Sequence, residues 1–375
     1  RRSWQPAILV MRSARGLHAC RHSTHRRYST HTNALTSRIS SITESFFTPV
    51  HRVTISVPGT ISNLGPGFDC FGFALDVENR VVVERADQFS ISIHGEGESG
   101  LPRSQENVIA RMAAKALEEM GMEVPPLRFE CHNAVPPRKG FGSSSAAVVA
   151  GLATGLAFGG KDLELPSTKQ LLLQMAAEQE GHADNIAPAI YGGFQISCQH
   201  TEGQWISQRV NTPPGLQLCL FIPDDEILSE EARSVLPPTT SYSDAIFNIS
   251  RAAMLVNCFA TSQFDPLRFA MEDRLHQQYR THMFPFEPLI HAAIKAGAHA
   301  AFLSGAGPSV VAICGGVGIA DPGSDTMSQF LAEGVSRAVH DAAERQGVRG
   351  SVHIAGPSLL GLTSVGFDES GSRMW

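Results

Sequence analysis

Apolar and polar residues alternate from Val53 through Thr54, Ile55 and Ser56 to Val57, and that period of two predicts a strand ending at Pro58-Gly59. Val81–Glu84, Phe89–Ile93 and Leu127–Cys131 predict further strands. The period changes to that of a helix between Asn107 and Met120, where Ile109, Met112, Ala113 and Leu117 share a face and Gly121 follows. From about Ser144 to Ala157 the chain is expected to form a helix of small apolar residues. Ser167 stands where a cap is expected, before a helix carrying Leu171, Leu172, Met175 and Ala176.

In the second half, Leu216–Ile222 reads as a buried strand, and Ser243–Phe259 and Pro288–Ala296 as helices. Ala300–Leu303 and Val310–Cys314 are strands around a glycine-rich turn, and Asp325–Gln346 is an amphipathic helix. Val352–Ile354 is expected as the last strand, with Asp368–Trp375 a loose tail. Strands and helices mix without regular alternation. The expectation is α+β with two lobes, 51–208 and 209–375, parting near Gln204–Pro214.

Composition narrows the function. With 375 residues, 42% hydrophobic, and a formal charge of -6, the chain is an ordinary globular protein. A mildly acidic surface gains little from counterion release, so no nucleic-acid partner is expected. No apolar run reaches bilayer length, so no membrane span is expected either. The cysteines Cys20, Cys70, Cys131, Cys198, Cys219, Cys258 and Cys314 lack metal-ligand spacing. All but Cys20 are expected to be buried thiols in a reducing compartment.

The first fifty residues differ from the rest. Arg1 to Thr43 contain no acid and carry Arg1, Arg2, Arg12, Arg15, Arg21, Arg26, Arg27 and Arg38 among many Ser, Thr and His. That is the composition of an organellar transit peptide, for plastid or mitochondrion. If it is not a targeting signal, a cytoplasmic protein is expected.

The chemistry concentrates in four stretches. Pro136-Pro137-Arg138-Lys139-Gly140-Phe141-Gly142-Ser143-Ser144-Ser145-Ala146 joins a strand to a helix. Its glycines let backbone approach an anion, and the helix start offers free N–H groups to phosphate. The lysine precedes the glycines, so this is not a Walker A loop. Pro58 to Asp69, with Asn63-Leu64-Gly65-Pro66-Gly67-Phe68-Asp69, is a loop holding one amide and one carboxylate. Glu178-Gln179-Glu180-Gly181-His182-Ala183-Asp184-Asn185 ends a helix with acids and puts His, Asp and Asn on a turn, a set able to hold a cation and a polar substrate. Leu303 to Val310 is glycine-rich.

Taken in order, these stretches resemble the signatures of the GHMP kinases, and N-L-G-P-G-F-D with E-G-H-x-D-N-x-A-P-A resembles their homoserine kinase branch. Phe141 stands where the family usually has Leu, and Gly59 and Ser62 where it usually has Ala. The resemblance covers the chain after residue 50. It implies a two-lobed fold, with an N-terminal ATP-binding lobe like ribosomal protein S5 domain 2 and a ferredoxin-like C-terminal lobe. It implies ATP and Mg2+ as cofactors, L-homoserine as acceptor, and a homodimer.

By resemblance, Lys139, Gly140, Gly142, Ser143, Ser144 and Ser145 cradle the phosphates, and Asn107 meets adenine. Ser144 and Glu180 hold magnesium, with Glu178 as the alternative to Glu180. Asn63, Asp69, His182 and Asp184 line the acceptor site, with Asp69 or Asp184 on its ammonium, while Arg233 and Arg280 take its carboxylate. Asn185 touches the reacting hydroxyl, and Asn185, Ser144 and Glu180 form the catalytic set. A kinase of another alcohol such as mevalonate, or an inactive ligand-binding paralogue, is the alternative.

Overall fold

The computed structural model describes residues 50–316 and 324–375, apart from the side chains of 324–330. The expected transit peptide and Cys20 lie outside these residues. The described residues belong to one compact unit.

The alternating residues at 53–57 form β1 (Arg52–Ser62), with Val53, Ile55 and Val57 buried. The strand does not stop at Pro58-Gly59 as the sequence suggests. Its pairing with β2 (Phe71–Arg85) slips register between Pro58 and Thr60 and then resumes. This bulge absorbs the proline and carries the strand to Ser62. β4 (Leu127–Asn133) joins β2 antiparallel, and β3 (Ser90–Gly95) joins β4 in parallel.

Behind this sheet lie α1 (Val108–Glu119) and α2 (Ser143–Phe158). On α2, a Cβ at Gly151 would stand 2.5 Å from the Ile109 carbonyl oxygen and one at Gly155 2.4 Å from that of Ala113. Small residues therefore let the two backbones touch, which is why α2 has no polar face. α3 (Pro166–Glu180) starts differently from the expectation: Leu165 is at the cap position and Pro166 opens the helix, so Ser167 is not a cap. Proline suits that first position because its missing N–H would have no helical partner.

α4 (Ile186–Tyr191) leads into the hairpin of β5 (Phe194–Gln199) and β6 (Trp205–Val210), and β5 pairs with β2. The split expected near Gln204–Pro214 thus falls partly on a strand, anchored by buried Trp205 and Val210. The crossing to the second sheet is confined to the residues between β6 and β7 (Leu216–Pro223).

The second sheet runs β10-β7-β9-β8, all antiparallel, from β7, β8 (Ala300–Leu303), β9 (Val310–Gly315) and β10 (Gly350–Ala355). This 4-1-3-2 order is the ferredoxin-like arrangement. Between β7 and β8 come α5 (Ser229–Ser234), α6 (Tyr242–Thr261), α7 (Leu267–Ala270), a 3-10 turn (Gln277–Arg280) and α8 (Phe286–Lys295); α9 (Ser324–Arg345) precedes β10. Leu218, Leu220, Val311 and Ile313 belong to the core shared with Phe73, Phe194 and Phe259. On the other face Cys219, Phe221, Ala312 and Cys314 pack with Leu289, Ala293, Val335 and Val339 of α8 and α9. Both faces are covered, so these strands read as continuous apolar runs.

Two expectations for the C-terminus are corrected. β10 is not the last strand: β11 (Thr363–Phe367) returns to the first sheet and pairs antiparallel with β1. The tail is not loose, because Met374 donates its N–H to the Gly366 carbonyl and Trp375 packs on the first core. Cys70 and Cys198 are exposed, against the expectation of burial, because they sit at the sheet edge where β2 begins and β5 ends.

Candidate active site

The phosphate-type loop is held by backbone. Gly140 (φ +84°) and Gly142 (φ +62°) adopt left-handed conformations that favour glycine. A Cβ at Gly140 would lie 2.4 Å from the Ser304 carbonyl oxygen, and one at Gly142 2.0 Å from Thr60 Oγ1. Gly142 is the N-cap of α2 and no side chain caps the helix, so its first-turn N–H groups face outward without a side-chain acceptor. Phe141 is buried, packed in a core cluster with Ile61, Val135 and Phe73.

The three serines differ. Ser144 is exposed, Ser143 half-buried, and Ser145 buried, with its Oγ donating to Glu180 Oε2 at 2.6 Å. Thus Glu180 is brought to Ser145 rather than to Ser144. Glu178 is exposed on the same helix. Burial pushes the Glu180 carboxyl above its usual range, partly offset by the Ser145 hydroxyl and the His182 charge.

Two expected nucleotide contacts are engaged elsewhere. Lys139 Nζ donates to the carbonyls of Asp224 (2.7 Å) and Asp225 (2.9 Å), while Arg138 pairs with Glu226. Asn107 caps α1: its Oδ1 accepts from Ile109 N–H (3.0 Å) and its Nδ2 donates to the Pro102 carbonyl (2.8 Å). Phe89, Arg103, Ser104, Gln105 and Glu106 line a shallow cleft beside that cap.

The four motifs converge. Ser304 Oγ donates to the Gly140 carbonyl (2.6 Å), Asn63 Nδ2 to the Gly305 carbonyl (2.8 Å), and Gly305 N–H to the Ser62 carbonyl (3.1 Å). Thr60 N–H donates to the Phe141 carbonyl (3.0 Å). Asn185 sits against the loop, with Thr60 Oγ1 donating to its Oδ1 (2.8 Å) and its Nδ2 donating to Ser62 Oγ (3.0 Å).

Beyond Asn185 the site is charged. Asp184 is buried, and its Oδ1 takes hydrogen bonds from His182 Nδ1 (2.6 Å) and Asn185 N–H (2.9 Å). Asp69, His182 and Asp184 come together in one cluster. Burial alone would lower the His182 pKa, but the Asp184 hydrogen bond and charge, aided by Glu180 and Asp69, carry it up to about 9. Arg233 grips Asp69 with two bonds, Nη1 to Oδ2 (2.9 Å) and Nη2 to Oδ1 (2.8 Å). Arg280 lies near it: both guanidinium groups flank the Phe68 ring, at 5.4 and 5.7 Å.

Arg280 is buried and committed, donating from Nε to the Ala232 carbonyl (3.1 Å) and from Nη1 to the Gly305 carbonyl (3.1 Å). Burial, then the Arg233 charge, bring its pKa down to about 10, still protonated at neutral pH.

Several residues here were not expected from sequence. His276 stacks on Phe68 (5.2 Å), and its Nδ1 meets Arg280 Nη1 at 2.9 Å while its Nε2 meets the Gly65 carbonyl at 2.8 Å. An arginine only donates and a carbonyl only accepts, so His276 is a neutral imidazole protonated at Nε2. Its pKa is lowered accordingly, by burial first. Asp273 holds the turn by accepting from the backbone of Leu275, His276 and Gln277. Thr60, Ser62 and Phe68 complete the set. The one sequence signal for His276 is its place four residues before Arg280, one helical turn.

The chain is similar to known proteins in sequence and in fold. The GHMP kinases N terminal domain matches residues 107–193, and the GHMP kinases C terminal domain matches residues 258–339. A homoserine kinase of Desulfitobacterium hafniense is 35% identical over 303 residues, 80% of this chain and 96% of that protein. One from Moorella thermoacetica is 41% identical over 264 residues, 70% of this chain and 87% of that protein. The crystal structure of homoserine kinase from Cytophaga hutchinsonii superposes with a TM-score of 0.70 at 24% identity, covering 86% of this chain and 99% of that one. L. major mevalonate kinase, solved with R-mevalonate, superposes with a TM-score of 0.58 at 12% identity, covering 80% and 95%. At those identities the two structures establish a common fold.

Proposed function

This chain belongs to the homoserine kinases within the GHMP kinases, and on that premise we propose that it transfers the γ-phosphoryl group of ATP to the side-chain hydroxyl of L-homoserine, yielding O-phospho-L-homoserine and ADP for threonine biosynthesis. The observation that carries this reading is the Asp69–Arg233 pair. Homoserine brings an ammonium and a carboxylate, and the residues suited to each already hold one another beside buried Asp184. A zwitterion entering there would exchange one ion pair for two. A mevalonate or sugar acceptor has no ammonium for Asp69 or Asp184 to meet.

The phosphates of ATP would rest on Gly140 to Ser145 at the α2 N-terminus, where the macrodipole favours negative charge. Asn185 would meet the acceptor hydroxyl between loop and clamp. No side chain is assigned as a general base; positioning and charge stabilisation carry most of phosphoryl transfer.

Magnesium fits the donors present: the Glu180 carboxylate with a hydroxyl of Ser145 or Ser144 offers few protein ligands, as suits an octahedral ion that keeps water and phosphate oxygens. When bound it would neutralise charge on the phosphates.

We extend the reading to assembly and address. Tyr242, Ile246 and Ile249 are exposed along one face of α6, and the only charges of that helix, Asp244 and Arg251, are paired with Arg274 and Glu272. An apolar stripe without a free charge suits a second copy of this chain, a homodimer. Ile249→Glu should then convert a dimer to a monomer in sedimentation. The acid-free, arginine-rich first 43 residues support delivery to a plastid or mitochondrion, tested by fusing residues 1–50 to a fluorescent protein.

The central test is ADP release by purified residues 48–375 with L-homoserine, mevalonate and galactose in parallel. Homoserine should be strongly preferred. Equal rates on all three, or none on homoserine, would defeat the proposal.

A further inference from the structure

Ser62 stands where the resembling motif usually carries alanine. Its hydroxyl is buried and meets Asn185, 123 residues away, while Thr60, two positions earlier on β1, meets the other end of the same amide. Residues two apart on a strand point to the same face, so one β1 face presents two hydroxyls to one side chain. Which end carries the hydrogens is fixed independently. Asp184 Oδ1 lies 3.4 Å from Nδ2, and a carboxylate oxygen there accepts, so the NH2 faces Asp184 and Ser62 while Oδ1 faces Thr60.

Gly142 closes the arrangement from the phosphate side. A Cβ there would stand 2.9 Å from Asn185 Oδ1 as well as 2.0 Å from Thr60 Oγ1. The amide is therefore held on three sides at the junction of loop and clamp.

We propose that Thr60 and Ser62 are positioning residues for phosphoryl transfer, holding the Asn185 amide in one orientation toward the acceptor hydroxyl, with Ser62 supplying a hold that alanine cannot. The inference rests on the kinase reading above. A small misorientation of a group that touches the reacting atoms costs turnover more than binding.

The test is steady-state kinetics on Ser62→Ala, Thr60→Val and Thr60→Ser, alone and in an Asn185→Ala background, with melting temperature recorded for each. Ser62→Ala should lower kcat about fivefold and Thr60→Val about tenfold, the range of single hydrogen bonds. KM for ATP and for the acceptor should stay within about twofold, and Thr60→Ser should recover most of the loss. In the Asn185→Ala background neither change should lower kcat further, because their action passes through that amide. Unchanged kcat, losses that add in full to that of Asn185→Ala, or losses that track a falling melting temperature would each overturn the proposal. Wild type is assayed on homoserine in the same series. If it prefers another alcohol, the substrate reading fails and the variants are measured on that alcohol.

Discussion

The two ends of the candidate site are built by different means. The end we propose for the phosphates is made of backbone: glycines at positive φ, an uncapped helix start, and carbonyls and N–H groups of neighbouring loops. The end we propose for the acceptor is made of side chains brought from far apart, with Asp69 and Arg233 separated by 164 residues. Backbone binds any polyphosphate at the right spacing, whereas a fork of guanidinium on carboxylate is specific for charge and direction. On the proposed reading, one fold would keep its nucleotide end fixed while the other end sets the alcohol.

The largest effect should come from filling the backbone end. Gly142→Val would push a branched side chain into Thr60 Oγ1 from a left-handed backbone. It should lower kcat/KM for ATP by about a hundredfold or more, since strain and collision add. A variant with near-normal ATP kinetics would show that the loop is not the phosphate cradle.

At the clamp, Arg233→Leu should raise KM for homoserine about tenfold to a hundredfold while KM for ATP holds, because charge-assisted bonds are worth about 1.5–3 kcal/mol. Arg280→Leu should do the same and also lower the melting temperature, since it strips donors from the buried Ala232 and Gly305 carbonyls. Arg233 is half-exposed and should spare stability. If both variants lose ATP affinity instead, the contrast between the two ends is misdrawn.

Glu180→Gln should lower kcat and raise the magnesium needed for half-maximal rate severalfold, while the exposed Glu178→Gln should leave both unchanged. The reverse ranking in a magnesium titration would reassign the metal ligand.

The smallest effect is on pH. His182 is held protonated in the fold up to about 9 against an ordinary 6.5. A raised folded pKa adds stability that is fully present below about 6.5 and lost as pH rises through about 9. The melting-temperature gap between wild type and His182→Gln should therefore close on going from pH 6 to pH 10. A constant gap would mean that the His182–Asp184 contact is not ionic.

The same contrast explains what the sequence revealed. The phosphate loop is local, so its glycines, serines and following helix can be read from one stretch. Glu180 and Asn185 could be named, but not their partners, because Ser145, Thr60 and Ser62 meet them only through packing. Asn107 has an adequate local explanation: an Asn immediately before an apolar-periodic run is a helix cap, and its side-chain atoms are spent there. β6 was hidden because its middle residues face solvent, leaving Trp205 and Val210 as its anchors. β11 is five residues with a glycine, and nothing nearby marks its partner as β1.

That pairing of β11 with β1 joins the beginning of the described chain to its end: Arg52 lies opposite Phe367 and Ser56 opposite Thr363. Closing a loop of that span is slow compared with forming local structure. On a ribosome, the sheet beside the Gly140–Ser145 loop would stay one strand short until Thr363–Phe367 has emerged. A nascent chain that stops short of Thr363 would have made every motif yet still expose the edge of β1.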